Sequence, residues 1–356
     1  IANHGNGLKI AHEIKKQFGS QVKVMMGGPQ ASFVYEEVLK QGDVDIVSIF
    51  EGEQTIVELL NCIKTGGDLK KIAGIAFVNE EGEVIKTERR LPIQDLDTID
   101  FPAWDLFKID KYQEPGIVLT GRGCPYKCIF CSAGAIAGGR YRMRSVKNVV
   151  DEIEMLYKTY GIKKIFIADD TFTASEKHCI EICREIRNRN LDIAWQAEAR
   201  ANTVTDLVAA EMAKAGCHHV QIGAESGDNE ILKKIGKNVT TDTIERAVRI
   251  FLKHGITVVC SFILGHPDDT AETCEKTIRF GKYLKTISGG YTSCKFAILT
   301  PLPGTPVYER KDDLGIKLLT ENWDNYTFFD TVMETKNLNR RQLQNLYMKA
   351  WATYAS

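Results

Sequence analysis

Gly121-Arg-Gly-Cys124-Pro-Tyr-Lys-Cys128-Ile-Phe-Cys131 is the stretch on which the reading of this chain turns. Three cysteines fall within eight residues, directly after a short apolar run at 117–120. Thiolates are the ligands of iron–sulfur clusters. A cubane has four irons, so three cysteines leave one iron without a protein ligand. An open coordination site is what a metal needs to bind and act on a substrate. Gly121 and Gly123 let the backbone wrap closely round such a group. Arg122 and Lys127 bring positive charge to it. Two plainer readings compete. A structural zinc wants four ligands, commonly in pairs, and no second pair is nearby. Three unrelated buried thiols are the other, and the loop position at a strand end speaks against it.

The pattern on either side of the loop gives the architecture. Apolar runs at 117–120, 164–168, 192–197, 219–223, 257–263 and 292–299 read as strands. Helical periodicity fills the gaps at 146–160, 176–189, 205–215, 240–254 and 272–285. Six strands, each but the last followed by a helix, predict an α/β fold built on a partial (β/α)6 barrel over 116–310. Its chemistry belongs at the C-terminal strand ends. Upstream, residues 1–68 show a βαβ rhythm: a helix at 7–17, a buried strand at 22–29, a helix at 32–41, a strand at 44–49 and a helix from 51 to 63. That is about half of a doubly wound domain. The chain opens Ile1-Ala2-Asn3 rather than with Met, and reads as lacking its beginning. Residues 69–115 hold a hairpin signal, 74–79 and 84–87 around Glu80-Glu81-Gly82, within a linker. Residues 311–356 form a helical extension expected to cover the open side of the barrel. His4 and His12 are expected on the surface of the first helix.

The C-x3-C-x-aromatic-C pattern resembles the radical S-adenosylmethionine (SAM) superfamily, over roughly residues 116–310. The resemblance implies a [4Fe–4S] cluster on Cys124, Cys128 and Cys131, whose remaining iron is chelated by SAM, with Phe130 near the adenine. Further motifs close successive strands. Phe166-Ile-Ala-Asp169-Asp170-Thr-Phe172 matches the position that contacts the SAM amino group; helix capping through Asp170, Thr171 or Ser175 is the plain alternative. Arg200, in Trp195-Gln-Ala-Glu198-Ala-Arg200, matches the arginine that holds the SAM carboxylate, against a surface salt bridge. Gly223-Ala-Glu225-Ser226-Gly227 resembles the ribose-binding segment. Ile263 and Gly265, in Phe262-Ile-Leu-Gly265-His-Pro267, would pack on adenine. Pro301-Leu-Pro303-Gly304-Thr305-Pro306 resembles a turn of one branch, or is simply a rigid turn. Each motif alone is weak; their order at successive strand ends is not.

Gly27 and Gly28 of Met26-Gly27-Gly28-Pro29, with Glu51 and Gly52 of Phe50-Glu51-Gly52-Glu53, resemble the later part of a Rossmann-like cobalamin-binding domain. Ordinary βα turns are the alternative. No D-x-H-x-x-G cobalt-ligand motif is present. The pairing of this remnant with the barrel resembles the B12-binding branch of the superfamily, which holds methyltransferases and the anaerobic magnesium-protoporphyrin IX monomethyl ester cyclase. In Arg140-Tyr-Arg142-Met-Arg144-Ser145 the arginines either meet an anionic substrate or fix a helix start.

The resemblance implies reductive cleavage of SAM and hydrogen abstraction from an unactivated carbon, with cobalamin-dependent methyl transfer to it. The alternatives are oxidative cyclisation of a porphyrin-like substrate and a non-catalytic iron–sulfur protein. Methylthiotransferases carry three further N-terminal cysteines, and only Cys62 precedes the motif here. No catalytic side chain is assigned. A small-molecule or peptide substrate and an electron donor such as flavodoxin or ferredoxin are expected. A net charge of −1 over 356 residues gives no electrostatic case for nucleic acid or an anionic membrane. No apolar run reaches the ~20 residues of a spanning helix. Ten cysteines without a secretion signal point to metal or buried thiols in a cytoplasmic protein rather than to disulfides. Cys179 and Cys183, one helical turn apart, are expected in core packing.

Overall fold

The computed structural model describes residues 3–113 and 116–355; the limits expected at 1, 115 and 356 lie outside the described residues. The first unit runs α1 (His4–Phe18), β1 (Met25–Met26), α2 (Gly28–Phe33), α3 (Tyr35–Lys40), β2 (Ile46–Ser48), α4 (Glu53–Thr65), β3 (Ile75–Val78) and β4 (Val84–Lys86). β1 and β2 are parallel, as the βαβ rhythm predicts, while β3 and β4 join antiparallel. The hairpin expected in the linker thus completes this sheet, because Ile75 and Phe77 bury themselves against Ile46 and Leu59. The strand expected at 22–29 shrinks to two residues. It is an edge strand with Met25 open to solvent, and Gly28 and Pro29 already belong to α2, where the missing proline N–H costs nothing. The helix expected at 32–41 breaks at Val34, which packs both on this unit's core and on the C-terminal Trp323 cluster.

His12 is exposed, as expected. His4 is not: it is buried where α1 meets the turn at Trp323–Asn325. The approach is so close that a methyl at Gly5 would lie 2.3 Å from Asp324 Oδ1. That contact joins the two ends of the chain and leaves no local trace in the sequence.

The second unit runs β5 (Ile117–Val118), β6 (Gly121–Arg122), α5 (Ala133–Ile136), β7 (Arg142–Met143), α6 (Val146–Tyr160), β8 (Lys164–Ile167), α7 (Glu176–Asn188), β9 (Ala194–Ala199), α8 (Asp206–Lys214) and β10 (Cys217–Glu225). It continues through α9 (Asn229–Lys234), α10 (Thr241–Lys253), β11 (Thr257–Leu264), α11 (Ala271–Ile287) and β12 (Thr292–Ile298). Among the described residues β5, β8, β9, β10, β11 and β12 pair in chain order, every pair parallel. This is the open six-stranded barrel the sequence predicts. Its helices begin where hydroxyls cap them. Ser145, Ser175, Thr205, Thr240 and Thr270 each accept the backbone N–H three residues on.

The strands alternate. Val220, Ile222 and Ala224 of β10 and Val258, Cys260, Phe262 and Leu264 of β11 lie fully buried in the main core. The alternate positions carry Gln196, Glu198, Gln221 and Ser261, which are only half-buried. On that face Gln221 Nε2 donates to Glu198 Oε1 (3.0 Å) and Lys295 Nζ to Gln221 Oε1 (3.1 Å). Cys179 and Cys183 are core residues, as expected, as are Cys217, Cys260, Cys274 and Cys294.

An open barrel has two edges, and unpaired edges need cover. Trp104 and Ile109 of the connecting segment pack on the main core, and Trp104 lines a cavity with Ile117 of β5. After α12 (Pro306–Glu309) and the short pair β13 (Lys317–Leu318) and β14 (Met333–Glu334), the last helix α13 (Arg340–Ala355) lies on β12 and α11. Of the C-terminal aromatics, Trp323 and Tyr326 are core residues of a small cluster of their own. No helix among the described residues is long and apolar enough to cross a membrane.

Candidate active site

The cysteine loop is an excursion from a two-rung antiparallel ladder, in which Gly121 faces Met143 and Arg122 faces Arg142. Gly123 follows with φ +88°, and a Cβ there would lie 2.2 Å from Arg140 O. Only glycine turns the chain into the loop at that point. The start of the loop hangs on Asp169. Its Oδ1 accepts from Thr120 N (2.6 Å) and Gly121 N (3.3 Å), and its Oδ2 from Thr120 Oγ1 (2.5 Å). Asp169 is buried, and burial raises its carboxyl to about 6. Asp169 is therefore committed to the loop's neck rather than presented to a ligand. Its neighbour Asp170 stays open to a cavity and accepts from the Gly123 N–H. The protein packed round that cavity pushes its carboxyl up.

The three thiols meet different partners. Cys124 Sγ lies 3.6 Å from Thr171 Oγ1, and Cys128 Sγ lies 3.8 Å from Gly236 O and 3.5 Å from Arg200 Nη1. Among the described residues no three His, Cys, Asp or Glu side chains converge as one metal ion requires. A cubane asks for thiolates on separate irons, round a volume rather than a point. Although Cys131 is partly open to solvent, the mass of the loop pushes its thiol up to about 11, and Cys128 adds to this. Such a thiol yields its proton to a bound cation.

Arg200 is buried, which removes the surface salt-bridge reading. Its guanidinium stacks 3.8 Å from the centroid of Tyr126, and Nε donates to Asn202 Oδ1 (2.9 Å). Nη2 is buried and has no partner. A buried unpaired guanidinium nitrogen is costly unless a ligand answers it. The donor set and this free nitrogen together fit a cluster carrying a carboxylate-bearing ligand.

The remaining expected contacts divide. Phe130 faces the ring of His266, centroids 5.5 Å apart. Burial lowers His266 to about 3, so it is neutral. Glu225 has φ +62° and forms a buried pair with Lys237 at 2.7 Å. The Ser226 hydroxyl is spent on Thr277 (3.2 Å) and Asp228 N (3.1 Å) and does not reach the site, because it anchors the β10–α9 turn. Gly265 has φ +89° and gives its N–H to Asp269. A Cβ there would meet Leu343 of α13 at 2.7 Å, so this glycine serves the approach of a helix. Ile263 is half-buried on the face shared with Glu198 and Gln221.

A cavity of about 330 Å³ lies between the two units. Pro29, Phe50 and Gly52 line it from one side, and Gly123, Ala137 and Asp170 from the other. A second, of about 490 Å³, shares Leu119, Gly121, Arg122 and Glu53 with it. Gly27 packs on Ser48 and begins α2 with Gly28. Glu51 lines the first cavity as well, but its carboxylate oxygens are taken up by Arg142, Arg122 and the Ile93 N–H. Arg144 fixes the start of α6 through Asn148 and Glu152, as one reading of that run has it. Arg142 instead binds Glu51. Thr120 and Lys237 stand in none of the motifs read from the sequence, and His266 and Arg142 stand in quoted runs without a role of their own there; their neighbours in space give all four a task.

The radical SAM superfamily profile matches residues 118–281. An uncharacterized methyltransferase of Pyrococcus horikoshii is 39% identical over 347 residues, covering 96% of this chain and 74% of its own. The chain belongs to the radical SAM superfamily, in the branch that holds such methyltransferases. The anaerobic magnesium-protoporphyrin IX monomethyl ester cyclase of Rubrivivax gelatinosus is 30% identical over 357 residues, covering 96% of this chain and 62% of its own. Solved structures share the fold as well. The cobalamin-dependent SAM radical enzyme OxsB with aqua-cobalamin bound has a TM-score of 0.78 at 20% identity, over 98% of this chain and 56% of that one. The radical SAM methyltransferase TsrM of Kitasatospora setae with cobalamin and a [4Fe–4S] cluster bound has a TM-score of 0.72 at 21% identity, over 98% and 67%.

Proposed function

We propose that this chain is a cobalamin-dependent radical SAM methyltransferase acting on an unactivated carbon. The observation that carries the reading is the shared cavity: the β2–α4 turn of the N-terminal unit and the neck of the cysteine loop form its two walls. Names of relatives and of structures with the same fold support it. Cys124, Cys128 and Cys131 hold the [4Fe–4S] cluster. Arg200 Nη2 takes the SAM carboxylate, Asp170 its ammonium, and Phe130 flanks the adenine. Gly28, Pro29, Phe50 and Gly52 form the cobalamin wall. When bound, the reduced cluster supplies one electron to the SAM sulfonium and cobalamin supplies a methyl carrier. The chain's own residues bind, orient and exclude water: Asp169 fixes the loop, the Tyr126 ring seats the Arg200 guanidinium, and Ala133 and Ile136 of α5 line the cavity.

The identity to the cyclase of Rubrivivax gelatinosus favours one second reading, oxidative ring closure with the same parts. An external one-electron donor such as flavodoxin or ferredoxin, a small-molecule or peptide substrate, and a reducing cytoplasmic setting belong to the proposal. The test is anaerobic. The protein is reconstituted with iron, sulfide and hydroxocobalamin, then given dithionite and SAM. 5′-Deoxyadenosine and S-adenosylhomocysteine that both vanish in Cys128→Ala are expected. 5′-Deoxyadenosine without S-adenosylhomocysteine moves the assignment to the cyclase reading. Neither product from a cluster-loaded protein overturns both.

A further inference from the structure

Glu51 stands at the β2–α4 turn, where a contact with a bound macrocycle was expected, yet its carboxylate is saturated by protein. Oε1 accepts from Arg142 Nη2 at 2.7 Å and lies 3.2 Å from Arg122 Nη1. Oε2 accepts from Arg142 Nη1 at 3.1 Å and from Ile93 N at 2.7 Å. Arg142 also donates to Ile93 O, and Arg122 gives its other arm to Glu53. The pair is bidentate and largely shielded from water, so it is far more directional than a surface ion pair.

Its two arginines are not placed at random. Arg122 and Arg142 face one another in the β6–β7 ladder, the neck through which the chain enters and leaves the cysteine loop. On the other side Glu51 follows Phe50, whose φ of +62° is a conformation bulky residues avoid. The Phe50 N–H is held by Ser32 Oγ of α2 at 2.8 Å. One carboxylate thus connects α2 and the β2–α4 turn to both sides of the loop's neck. Another long-range tie of the N-terminal unit is Trp323 Nε1 to Glu37, at 2.8 and 3.0 Å. It touches no residue of the loop and serves as an internal control.

We propose that Glu51 is a positioning residue, carrying the placement of the N-terminal unit through Arg142 and Arg122 to the cysteine loop. This rests on the reading of that loop as a cluster site. A mere staple between units would work equally well at Glu37; a positioning residue has to act on the loop.

The test compares Glu51→Gln, Arg142→Lys and Glu37→Gln. Hydrogen–deuterium exchange is measured on the metal-free chains. The electron paramagnetic resonance of the dithionite-reduced, reconstituted proteins is then recorded with and without SAM. Glu51→Gln is expected to speed exchange in peptides covering 121–124 and 140–144 by about tenfold or more, a local opening that leaves the barrel core protected. It should also shift the cluster's signal. Arg142→Lys keeps the charge but loses the fork, and should fall between it and wild type; it carries the same readout if Glu51→Gln does not fold. Glu37→Gln should leave the loop at wild-type exchange. Exchange and signal in Glu51→Gln equal to wild type overturn the proposal, as does an equal effect from Glu37→Gln. A wild-type chain that takes up no cluster overturns the cluster reading, while the metal-free exchange still decides the role of Glu51.

Discussion

The barrel and the N-terminal unit are both α/β, but they hold their shape in different ways. Strands β8 to β12 run from four to nine residues and bury every second side chain in one continuous core. Strands β1 to β4 run from two to four, over two small separate clusters. The barrel defines itself, through alternation and hydroxyl caps that each lie within a few residues of what they organise. The N-terminal unit is defined largely by what it touches: Arg142 at Glu51, Trp323 at Glu37, and Gly304, where a Cβ would lie 2.2 Å from the Phe33 ring. A small unit with a thin core borrows its rigidity from its neighbour.

The sharpest way to break this contrast is at the adjacent aspartates of the second barrel strand. Asp169→Ala strips a buried acceptor from Thr120 and Gly121. It should cost roughly 3–5 kcal/mol of barrel stability and abolish iron uptake. Asp170→Ala should cost about 0.5 kcal/mol or less while impairing SAM cleavage. Urea unfolding and iron assays on both variants decide it; equal effects would mean the two residues are not divided in role. Next in size is Arg200→Met. It should raise the KM for SAM by roughly 10- to 100-fold, since a hydrogen bond to a charged group is worth about 1.5–3 kcal/mol. Its unfolding midpoint should stay close to wild type. An unchanged KM would free Arg200 from the SAM reading.

A smaller effect is read in pH. Burial raises Asp169 and Asp269 to about 6, whereas in the unfolded chain both titrate near 4. Between those values the folded chain keeps protons that the unfolded chain has lost. Their contribution to stability therefore falls as pH climbs from about 4 to about 6, and is level above. His266, lowered to about 3, works in the opposite sense between that value and its ordinary one. The difference between wild type and Asp269→Asn isolates one carboxyl. From pH 5 to pH 7 the unfolding free energy of the variant should fall less, or rise more, than that of wild type, by on the order of 1 kcal/mol; equal slopes would refute the assignment. The least change is expected on α4, where Val57, Leu60 and Ile63 are 58%, 59% and 45% exposed. Leu60→Gln should alter stability by about 0.5 kcal/mol or less. A larger loss would show that this face is covered in solution.

The sequence alone determined what depends on near neighbours. Three cysteines in eight residues, a glycine at each turn into their loop, Ser or Thr before α6, α7, α8, α10 and α11, and alternation along β10 and β11 are all written within a few positions. α6 begins and ends where its periodicity says, at Val146 and Tyr160. Tertiary structure alone decided which of two adjacent aspartates turns inward, that the Ser226 hydroxyl anchors a turn, that Gly265 makes room for Leu343, and that Glu51 grips Arg142. Those choices join residues 49, 51, 78 and 91 positions apart. The physical reason is that a buried polar group must find a partner wherever the fold brings one, and local sequence carries no record of who arrives from the far end of the chain.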